Sequence, residues 1–456
     1  MTGIVHLGLG NFHRAHQAVY TAAALAEEPG DWGILAAAST SRTVVSALRA
    51  QDLRYHVVEL SPGRAEISSP AVHTGVLVAA EETETLVAAI AAADTRIVTL
   101  TVTEHGYSYS PETLGLDLDS AAVRHDLRDV PPRTPIGQLT RGLQRRARTH
   151  GHGVTIVSCD NLAGNGRHTR QLVREFAAAL PDPELVDWID RHVRFPNTMV
   201  DRIVPATTDE TRRIVAERLG VEDAVPVPAE PFTMWVLEDD FARGRPRWEA
   251  GGAIFTGDVG AYELLKLRLL NGTHSLIAYL GLLSGAHYIS DAVARPFVER
   301  AARRVIAEDY LPTFTPPEAI DVDDYVEQLF GRFSNSALAH RTSQVGSDGS
   351  LKLPQRITEP VLWHHKQGRV AGHLALTVAA YLRCVELGTE IRDPALERLR
   401  PLVARARSAR ELVGALFDEG QVFAPELADC GDFLDRTGRL LDILREHGPA
   451  QAAAEV

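Results

Sequence analysis

The segment Tyr262–Gly281 constrains the fold more than any other stretch of this 456-residue chain. Its many leucines favour a helix that is apolar on most sides, and a helix of that kind should be buried. At about 100° per residue, however, the polar side chains of the segment all fall on one side of the helix. These side chains belong to Glu263, Lys266, Asn271 and His274.

Lys266 is the residue of this helix that allows two interpretations. Burial of an ammonium group costs free energy unless the group is paired or neutral, and it lowers the pKa of a lysine. A neutral lysine near pH 7 could act as a general base, with Asn271 and His274 beside it to hold a substrate oxygen. Alternatively, the stem of Lys266 crosses apolar surface while its head stays in water. The spacing alone leaves both interpretations open.

Length and charge narrow the class of protein. A chain of this length is too long for one hydrophobic core, so we expect two or three domains. The net charge of −13 argues against nucleic acid or an anionic membrane as a partner. The three cysteines lack metal-type spacing, the apolar start lacks a basic leader, and no uncharged run approaches the roughly 18 residues that span a bilayer. We therefore expect a soluble, cytoplasmic protein.

The start of the chain predicts a nucleotide-binding fold. Residues 4–7 form a β-rich run that opens directly into Gly8-Leu9-Gly10. A strand that ends in Gly-x-Gly before a helix is typical of a dinucleotide fold, in which Gly8 makes the turn and Gly10 lets the backbone approach a pyrophosphate. His13 stands in place of the usual third glycine, which weakens the match.

The second predicted strand, residues 33–38, bears on which dinucleotide is bound. The residues after it, Ser39 to Arg42, occupy the position that reads the adenosine ribose. An acid there would favour NAD, whereas three hydroxyls and an arginine could tolerate a 2′-phosphate. NADP therefore stays an alternative to NAD.

Two later strands end in polar residues. Residues 96–103 read as a buried strand, and ligands of such sheets lie outside the carboxyl ends of the strands. Thr101, Thr103, Glu104 and Tyr107 are therefore expected near a nicotinamide, although a plain strand with a polar turn fits as well. Residues 154–158 form a similar strand that delivers Asn161, which is either a donor to a substrate oxygen or an ordinary turn former.

From residue 258 onward the periodicity is mostly helical, so we place a domain boundary between 1–257 and 258–456. Residues 343–355 interrupt these helices with glycines and carry Lys352. We interpret this segment as an irregular loop that caps the cleft facing Lys266.

Five motifs, in this order along the chain, are more specific together than any one alone. They are Gly8-x-Gly10-x-Phe12-His13-Arg14-Ala15-His16-Gln17, Thr101-x-Thr103-Glu104-x-Gly106-Tyr107, Ser158-Cys159-Asp160-Asn161, Phe195-Pro196-Asn197-x-Met199-Val200-Asp201-Arg202 and Lys266-x-x-x-x-Asn271-x-x-His274. They resemble the polyol-specific long-chain dehydrogenase/reductase family, also called the mannitol dehydrogenase family. The likeness runs from about residue 4 to beyond 430.

This resemblance implies an α/β fold with a Rossmann-type N-terminal domain and a mostly α-helical C-terminal domain. It implies metal-independent hydride transfer between NAD, or NADP, and a small molecule, by a monomeric enzyme. Lys266 resembles the family's general base, Asn161 and Asn271 the pair that holds the reacting oxygen, His274 a substrate-positioning residue, and Glu263 a proton relay to solvent. The cofactor-binding residues are then Gly8, Gly10, Asn11, Phe12, Arg14, Ser39, Arg42, Thr101, Thr103, Glu104 and Asp201.

The substrate is predicted from the segment around Lys352. Gln344 stands where mannitol-type members have an arginine, while Lys352 keeps a basic residue that contacts the sugar. The context from 340 to 356 looks more like the fructuronate reductase branch, which implies an open-chain sugar acid of the D-mannonate/D-fructuronate type. A neutral polyol such as D-mannitol or arabinitol is the alternative. A carboxylate on the substrate would need a cation, which Lys352, Arg341 or Arg356 could supply.

Overall fold

The structure is a computed structural model that describes residues 1–128, 130–418 and 422–456, apart from the side chains of Glu104, His105 and Asp418. The chain divides into two compact units. The N-terminal unit comprises Met1–Leu60 and Arg64–Gly260, and the C-terminal unit comprises Ser61–Gly63 and Ala261–Val456.

The strands precede the long helical part of the chain. In order they are β1 Thr2–Leu7, β2 Gly33–Ala38, β3 Val57–Ser61, β4 Arg64–Ser68, β5 His73–Val78, β6 Ile97–Leu100, β7 Tyr109–Ser110, β8 Gly115–Leu116, β9 Val154–Ser158, β10 Val193–Arg194, β11 Thr198–Asp201, β12 Val227–Ala229, β13 Met234–Leu237 and β14 Ile254–Phe255. Six of them form a parallel sheet in the order β10-β9-β6-β1-β2-β5. Three smaller sheets have the orders β11-β13-β14, β12-β3-β4 and β7-β8.

Helices cover both faces of the six-stranded sheet. They are α1 Asn11–Ala15, α2 Gln17–Glu27, α3 Arg42–Ala50, α4 Thr83–Ala91, α5 Thr103–Gly106, α6 Ala121–Asp126, α7 Pro135–Thr149, α8 Asn165–Ala178, α9 Pro183–His192 and α10 Asp209–Leu219. Successive side chains of a strand point to opposite faces, so Ile4 and Val5 of β1 enter two different hydrophobic cores. One core includes Tyr20 and Leu48, and the other includes Leu86 and Leu172.

The sheet order locates the expected ligand crevice. Strand β1 pairs in parallel with β2 on one side and with β6 on the other. The chain order therefore reverses between β1 and β6, and α/β sheets bind ligands outside the carboxyl ends of the strands at such a point. The predicted Rossmann-type α/β fold of the N-terminal unit is confirmed.

The C-terminal unit is mostly helical, as predicted. Its helices are α11 Val259–Leu265, α12 Thr273–Leu283, α13 Ile289–Val293, α14 Pro296–Arg304, α15 Val322–Phe333, α16 Thr342–Gly346, α17 Gly349–Lys366, α18 Gly372–Leu387, α19 Leu396–Arg405, α20 Ala409–Asp418, α21 Gly431–Glu446 and α22 Gly448–Ala454. Two π-helical segments, Lys266–Gly272 and Val305–Tyr310, and short 3₁₀ turns at Leu311–Thr313, Ser336–Leu338 and Pro425–Asp429 connect some of them. Helix α12 is buried along most of its length and packs against α13, α14, α16 and α18.

The prediction of an irregular loop over residues 343–355 is wrong, because most of this segment lies in α16 and α17. Asp348 stands at the N-cap of α17, but its side chain makes no capping hydrogen bond. Asp393, which is distant in the chain, supplies one: its carboxylate accepts from the backbone N–H of Ser350 at 2.7 Å and from the Ser350 hydroxyl at 2.5 Å. Asp348, with a φ of 56°, makes the sharp entry into the helix.

Three observations hold for the part of the chain that the structure describes. No helix there combines the length and apolar character needed to cross a bilayer. No group of three or more histidine, cysteine, aspartate or glutamate side chains there could hold a metal ion. The three cysteines are buried there as free thiols.

Candidate active site

The turn after β1 has the geometry that a dinucleotide fold requires. Gly8 has a φ of 111°, and a Cβ on it would lie 2.0 Å from the Thr101 carbonyl oxygen. At Gly10, by contrast, the nearest atom to such a Cβ is 3.8 Å away. The backbone at Gly10 is thus open to a close ligand, while Gly8 is required by packing. The Thr101 hydroxyl donates to the Gly8 carbonyl at 2.7 Å and joins the ends of β1 and β6. These residues fit a nicotinamide dinucleotide.

A group of buried histidines lies under this turn and was not predicted as a unit. His6 Nε2 lies 3.0 Å from the Gly8 carbonyl oxygen, and since a carbonyl only accepts, Nε2 carries the proton. Burial lowers the pKa of His6 to about 3, so the ring is neutral. His13 stacks on His6 with ring centroids 3.5 Å apart, and its Nε2 meets His73 Nε2 at 3.1 Å. His13, which stands in place of the third glycine, therefore belongs to this histidine group beneath the turn. In the sequence, the feature that could have predicted the group is His6, a histidine inside an otherwise apolar strand.

Arg14 and Asn11 brace the turn from the side. The buried Arg14 guanidinium donates to Asn11 Oδ1 at 2.7 Å and to the carbonyls of Gly10 and Val225. Burial lowers the pKa of Arg14. Phe12 stacks on His16 at a centroid distance of 4.9 Å. These contacts support the glycine turn itself.

The other predicted cofactor residues are spread over the same unit. Ser39 is exposed just after β2, and Arg42 is exposed and pairs with Glu81. Asp201 is buried at the end of β11, opposite Met234 of β13. The predicted role of the Glu104 side chain falls outside the described residues.

Asp160 joins the turns that follow β6 and β9. Its carboxylate accepts from the backbone N–H groups of Val102 and Thr103, each at 3.0 Å, and from the Tyr107 hydroxyl at 2.8 Å. The prediction that a strand runs to Thr103 is wrong, because these N–H groups bond a carboxylate instead of a neighbouring strand. Strand β6 ends at Leu100, and Thr103, with a φ of 63°, begins α5. Asn161 follows Asp160 and is exposed.

In the C-terminal unit, the predicted single α-helix contains a π-helical segment from Lys266 to Gly272. An α-helix would place Asn271 roughly 140° around the axis from Lys266. A π-helix bonds residue i to i+5, so residues five apart lie closer together around its axis than in an α-helix. Lys266 and Asn271 are five apart, so the π segment brings them closer together around the axis than an α-helix would. Lys266 is only 9% exposed, and Glu263, one turn before it, is half-buried.

His274 offers an unpartnered nitrogen in buried surroundings. It is 8% exposed, and among the described residues Nε2 finds no hydrogen-bond partner. Its ring centroid lies 5.1 Å from that of His340 and 5.2 Å from that of Phe333. Burial, helped by the positive surroundings of His340, Arg356, Arg332 and Lys352, holds the pKa of His274 well below its usual value. A neutral imidazole of this kind is suited to bind a hydroxyl group.

The predicted sugar contacts near Lys352 differ in their exposure. Lys352 is half-buried on α17 and donates from Nζ to the Ser347 carbonyl at 2.8 Å. Burial and the nearby Arg356 lower the pKa of Lys352. Gln344 is exposed on α16. Sequence reasoning did not find His340, whose pKa burial and Lys352 lower to about 4.

Gly272 ends the π segment where no side chain fits. A Cβ there would lie 2.2 Å from the hydroxyl oxygen of Tyr310, which is fully buried and cannot move away. We expect Gly272→Ala to lower the free energy of unfolding by about 1–3 kcal/mol and to reduce kcat, because overpacking displaces the segment that carries Lys266. Thermal unfolding and steady-state rates measure both effects.

Gly331→Ala is the matched control, because Gly331 is exposed on α15 and a Cβ there would have no neighbour within 4 Å. That change should be neutral or stabilise by about 0.4–1 kcal/mol. Equal effects of the two substitutions would contradict a packing requirement at Gly272.

Comparisons with known proteins agree with this geometry. Residues 2–250 match the mannitol dehydrogenase Rossmann domain, and residues 258–442 match the mannitol dehydrogenase C-terminal domain. D-mannonate oxidoreductase of Escherichia coli (strain K12) is 39% identical over 462 residues, covering 99% of this chain and 95% of that protein.

Two solved structures are similar over nearly the whole chain. Pseudomonas fluorescens mannitol 2-dehydrogenase, in a ternary complex with NAD and D-mannitol, is 34% identical with a TM-score of 0.87, covering 100% of this chain and 94% of that one. A substrate-free D-sorbitol dehydrogenase is 31% identical with a TM-score of 0.90, covering 99% of this chain and 95% of that one. The resemblance of the five motifs is thereby confirmed. The chain belongs to the mannitol dehydrogenase family and is an oxidoreductase that uses a nicotinamide cofactor.

Proposed function

We propose that the protein catalyses the reversible oxidation of a secondary hydroxyl in an open-chain sugar acid of the D-mannonate/D-fructuronate type, with NAD as cofactor. The observation that carries this proposal is the charge around His274. The neutral imidazole of His274, whose Nε2 finds no partner among the described residues, has three basic side chains in its surroundings, namely Arg332, Lys352 and Arg356. Such surroundings suit a substrate that has both hydroxyls and a negative charge.

Lys266 is the proposed general base. As a neutral amine it takes the hydroxyl proton during oxidation, and as an ammonium group it returns that proton during reduction. Asn271, one π turn later, donates its amide to the same oxygen as negative charge develops there, a contribution of about 3 kcal/mol in a dry site. Glu263, one turn before Lys266, passes the proton on to solvent. The donor role that the resemblance assigns to Asn161 stays a prediction.

The cofactor is proposed to bind over the turn at Gly8 and Gly10, with Thr101 beside it. A nicotinamide cofactor held there would supply the hydride acceptor for the oxidation and, in its reduced form, the hydride donor for the reverse reaction. Ser39 and Arg42 follow β2, at the position that reads the adenosine ribose. No acid follows β2, so NADP is the alternative to NAD.

The second candidate substrate is a neutral polyol such as D-mannitol. It is supported by the likeness to the mannitol 2-dehydrogenase complex and by the intact Lys266, Asn271 and His274 set. The basic surroundings of His274 favour the sugar acid.

A rate assay that follows reduced-cofactor absorbance distinguishes the two. We expect D-mannonate with NAD to give the highest kcat/KM in a screen that also contains D-altronate, D-mannitol, D-arabinitol and NADP. A higher kcat/KM for D-mannitol than for D-mannonate would refute the sugar-acid proposal.

A further inference from the structure

Arg356 of α17 is a half-buried guanidinium that makes one hydrogen bond to the described part of the chain. Its Nη1 donates to the Ser275 hydroxyl at 2.6 Å. Within the described residues, no carboxylate oxygen lies within 4.0 Å of its nitrogens. Burial lowers the pKa of Arg356, and the opposing influences come from the hydroxyls of Tyr279 and Tyr310. A cation removed from water is normally paired, so this one has unused capacity for an anion.

The position of Arg356 links it to the proposed substrate site. Ser275, which accepts its hydrogen bond, directly follows His274 on α12. The charge of Arg356 is one of the causes that lower the pKa of His274. Helix α17 also packs against the π segment that carries Lys266 and Asn271. The guanidinium therefore lies beside the imidazole that is proposed to bind the substrate hydroxyls.

The sequence named Lys352 and Arg341 as further candidates for a substrate carboxylate, and both are less suitable. Lys352 is already bonded to the Ser347 carbonyl at 2.8 Å and has the Asp348 carboxylate at 3.9 Å. Arg341 is exposed. A carboxylate is recognised best by the planar, two-pronged guanidinium of an arginine that is shielded from water.

Another buried arginine of the same unit provides a contrast. Arg268 donates to the Glu359 carboxylate at 3.0 Å and to the carbonyl and hydroxyl of Thr313, each at 2.8 Å. The fold thus gives the buried Arg268 an internal carboxylate, whereas no described carboxylate oxygen lies within 4.0 Å of the half-buried Arg356.

We infer that Arg356 binds the terminal carboxylate of the substrate and sets the preference for a sugar acid over a neutral polyol. The inference rests on the proposed function, since it assigns one residue to the charge of the proposed substrate. Nη2 and Nε supply the two-pronged contact, while Nη1 stays on Ser275.

The test compares D-mannonate with D-mannitol in the wild-type protein and in Arg356→Gln. A hydrogen bond to a charged group corresponds to a loss of about 10- to 100-fold. We expect kcat/KM for D-mannonate to fall by that factor through KM, and kcat/KM for D-mannitol to stay within a few fold. Arg356→Lys keeps the positive charge but not the two-pronged guanidinium, so its ratio of kcat/KM for D-mannonate to that for D-mannitol should be intermediate. Arg300→Gln, at an exposed arginine on α14 of the same unit, is the matched control and should leave the ratio unchanged.

A second measurement changes the charge of the substrate instead of the protein. The amide of D-mannonic acid has the same hydroxyls without the charge, and the wild-type protein should prefer D-mannonate over this amide by a similar factor. Arg356→Gln should lose that preference. Retention of the full wild-type preference for D-mannonate in folded Arg356→Gln or Arg356→Lys, or equal rates of the wild type with acid and amide, would overturn the inference and leave the proposed function intact. A wild-type preference for D-mannitol would overturn the proposed function, and the inference with it.

Discussion

Replacing Lys266 by alanine is expected to lower kcat by about 10²- to 10⁴-fold, the usual contribution of a general base. The amine is buried on the π segment and is the group proposed to take the hydroxyl proton. Cofactor affinity should be nearly unchanged, because the turn at Gly8 and Gly10 belongs to the N-terminal unit. Steady-state rates and titration of NADH fluorescence measure the two quantities separately.

Controls separate the loss of a base from the loss of the fold. Lys366→Ala, at an exposed lysine at the end of α17, should keep the wild-type kcat. Small primary amines added to Lys266→Ala should restore part of the rate, and the more basic amines should restore more. A variant that keeps the wild-type kcat but binds NADH much more weakly would show that Lys266 serves the cofactor and not the proton transfer.

The parts of the site that sequence could predict are those set by local patterns. The strand and Gly-x-Gly turn predicted the Rossmann-type unit, because a turn of that shape needs Gly8 whatever surrounds it. The polar side of an otherwise apolar helix singled out Lys266, since a charge in such a segment is unusual. The five motifs then identified the family.

The parts that sequence could not predict depend on contacts between distant residues. The last residue of the π segment has to be Gly272, because Tyr310 occupies the place of a side chain there. Helix α17 begins where a loop was expected because Asp393 caps it. Strand β6 ends at Leu100 because the Asp160 carboxylate takes the N–H groups that would continue the strand. None of these partners is near in the chain to the element it changes.

Helix α7 illustrates the same limit for charged residues. The sequence shows an arginine-rich amphipathic helix in which Arg145 and Arg146 look equivalent. In the structure Arg145 is exposed, whereas Arg146 is completely buried. Burial and, to a lesser extent, Arg243 lower the pKa of Arg146 to about 10, so the group stays charged at neutral pH.

Arg146 is satisfied by backbone carbonyls from two parts of the N-terminal unit. The five acceptors and their distances are Ile90 at 3.1 Å, Ala92 at 2.7 Å, Thr95 at 2.8 Å, His152 at 2.7 Å and Gly153 at 3.0 Å. They lie at the end of α4, before β6, and before β9. One side chain therefore holds together the two segments that lead into neighbouring strands of the sheet.

Arg146→Met is expected to lower the free energy of unfolding of the N-terminal unit by about 3–5 kcal/mol, because it leaves five carbonyls without their donor and methionine supplies none. Arg145→Met should stay within about 0.5 kcal/mol of the wild type.

Tryptophan fluorescence during urea unfolding suits the measurement, since four of the five tryptophans, at 32, 188, 235 and 248, belong to this unit. Arg146→Lys keeps three hydrogen-bond donors on a shorter side chain, so its free energy of unfolding should fall between those of Arg146→Met and Arg145→Met. Equal midpoints for Arg146→Met and Arg145→Met would mean that water, rather than the guanidinium, satisfies these carbonyls, and that the junction of α4 with β6 and β9 is held by its apolar contacts alone.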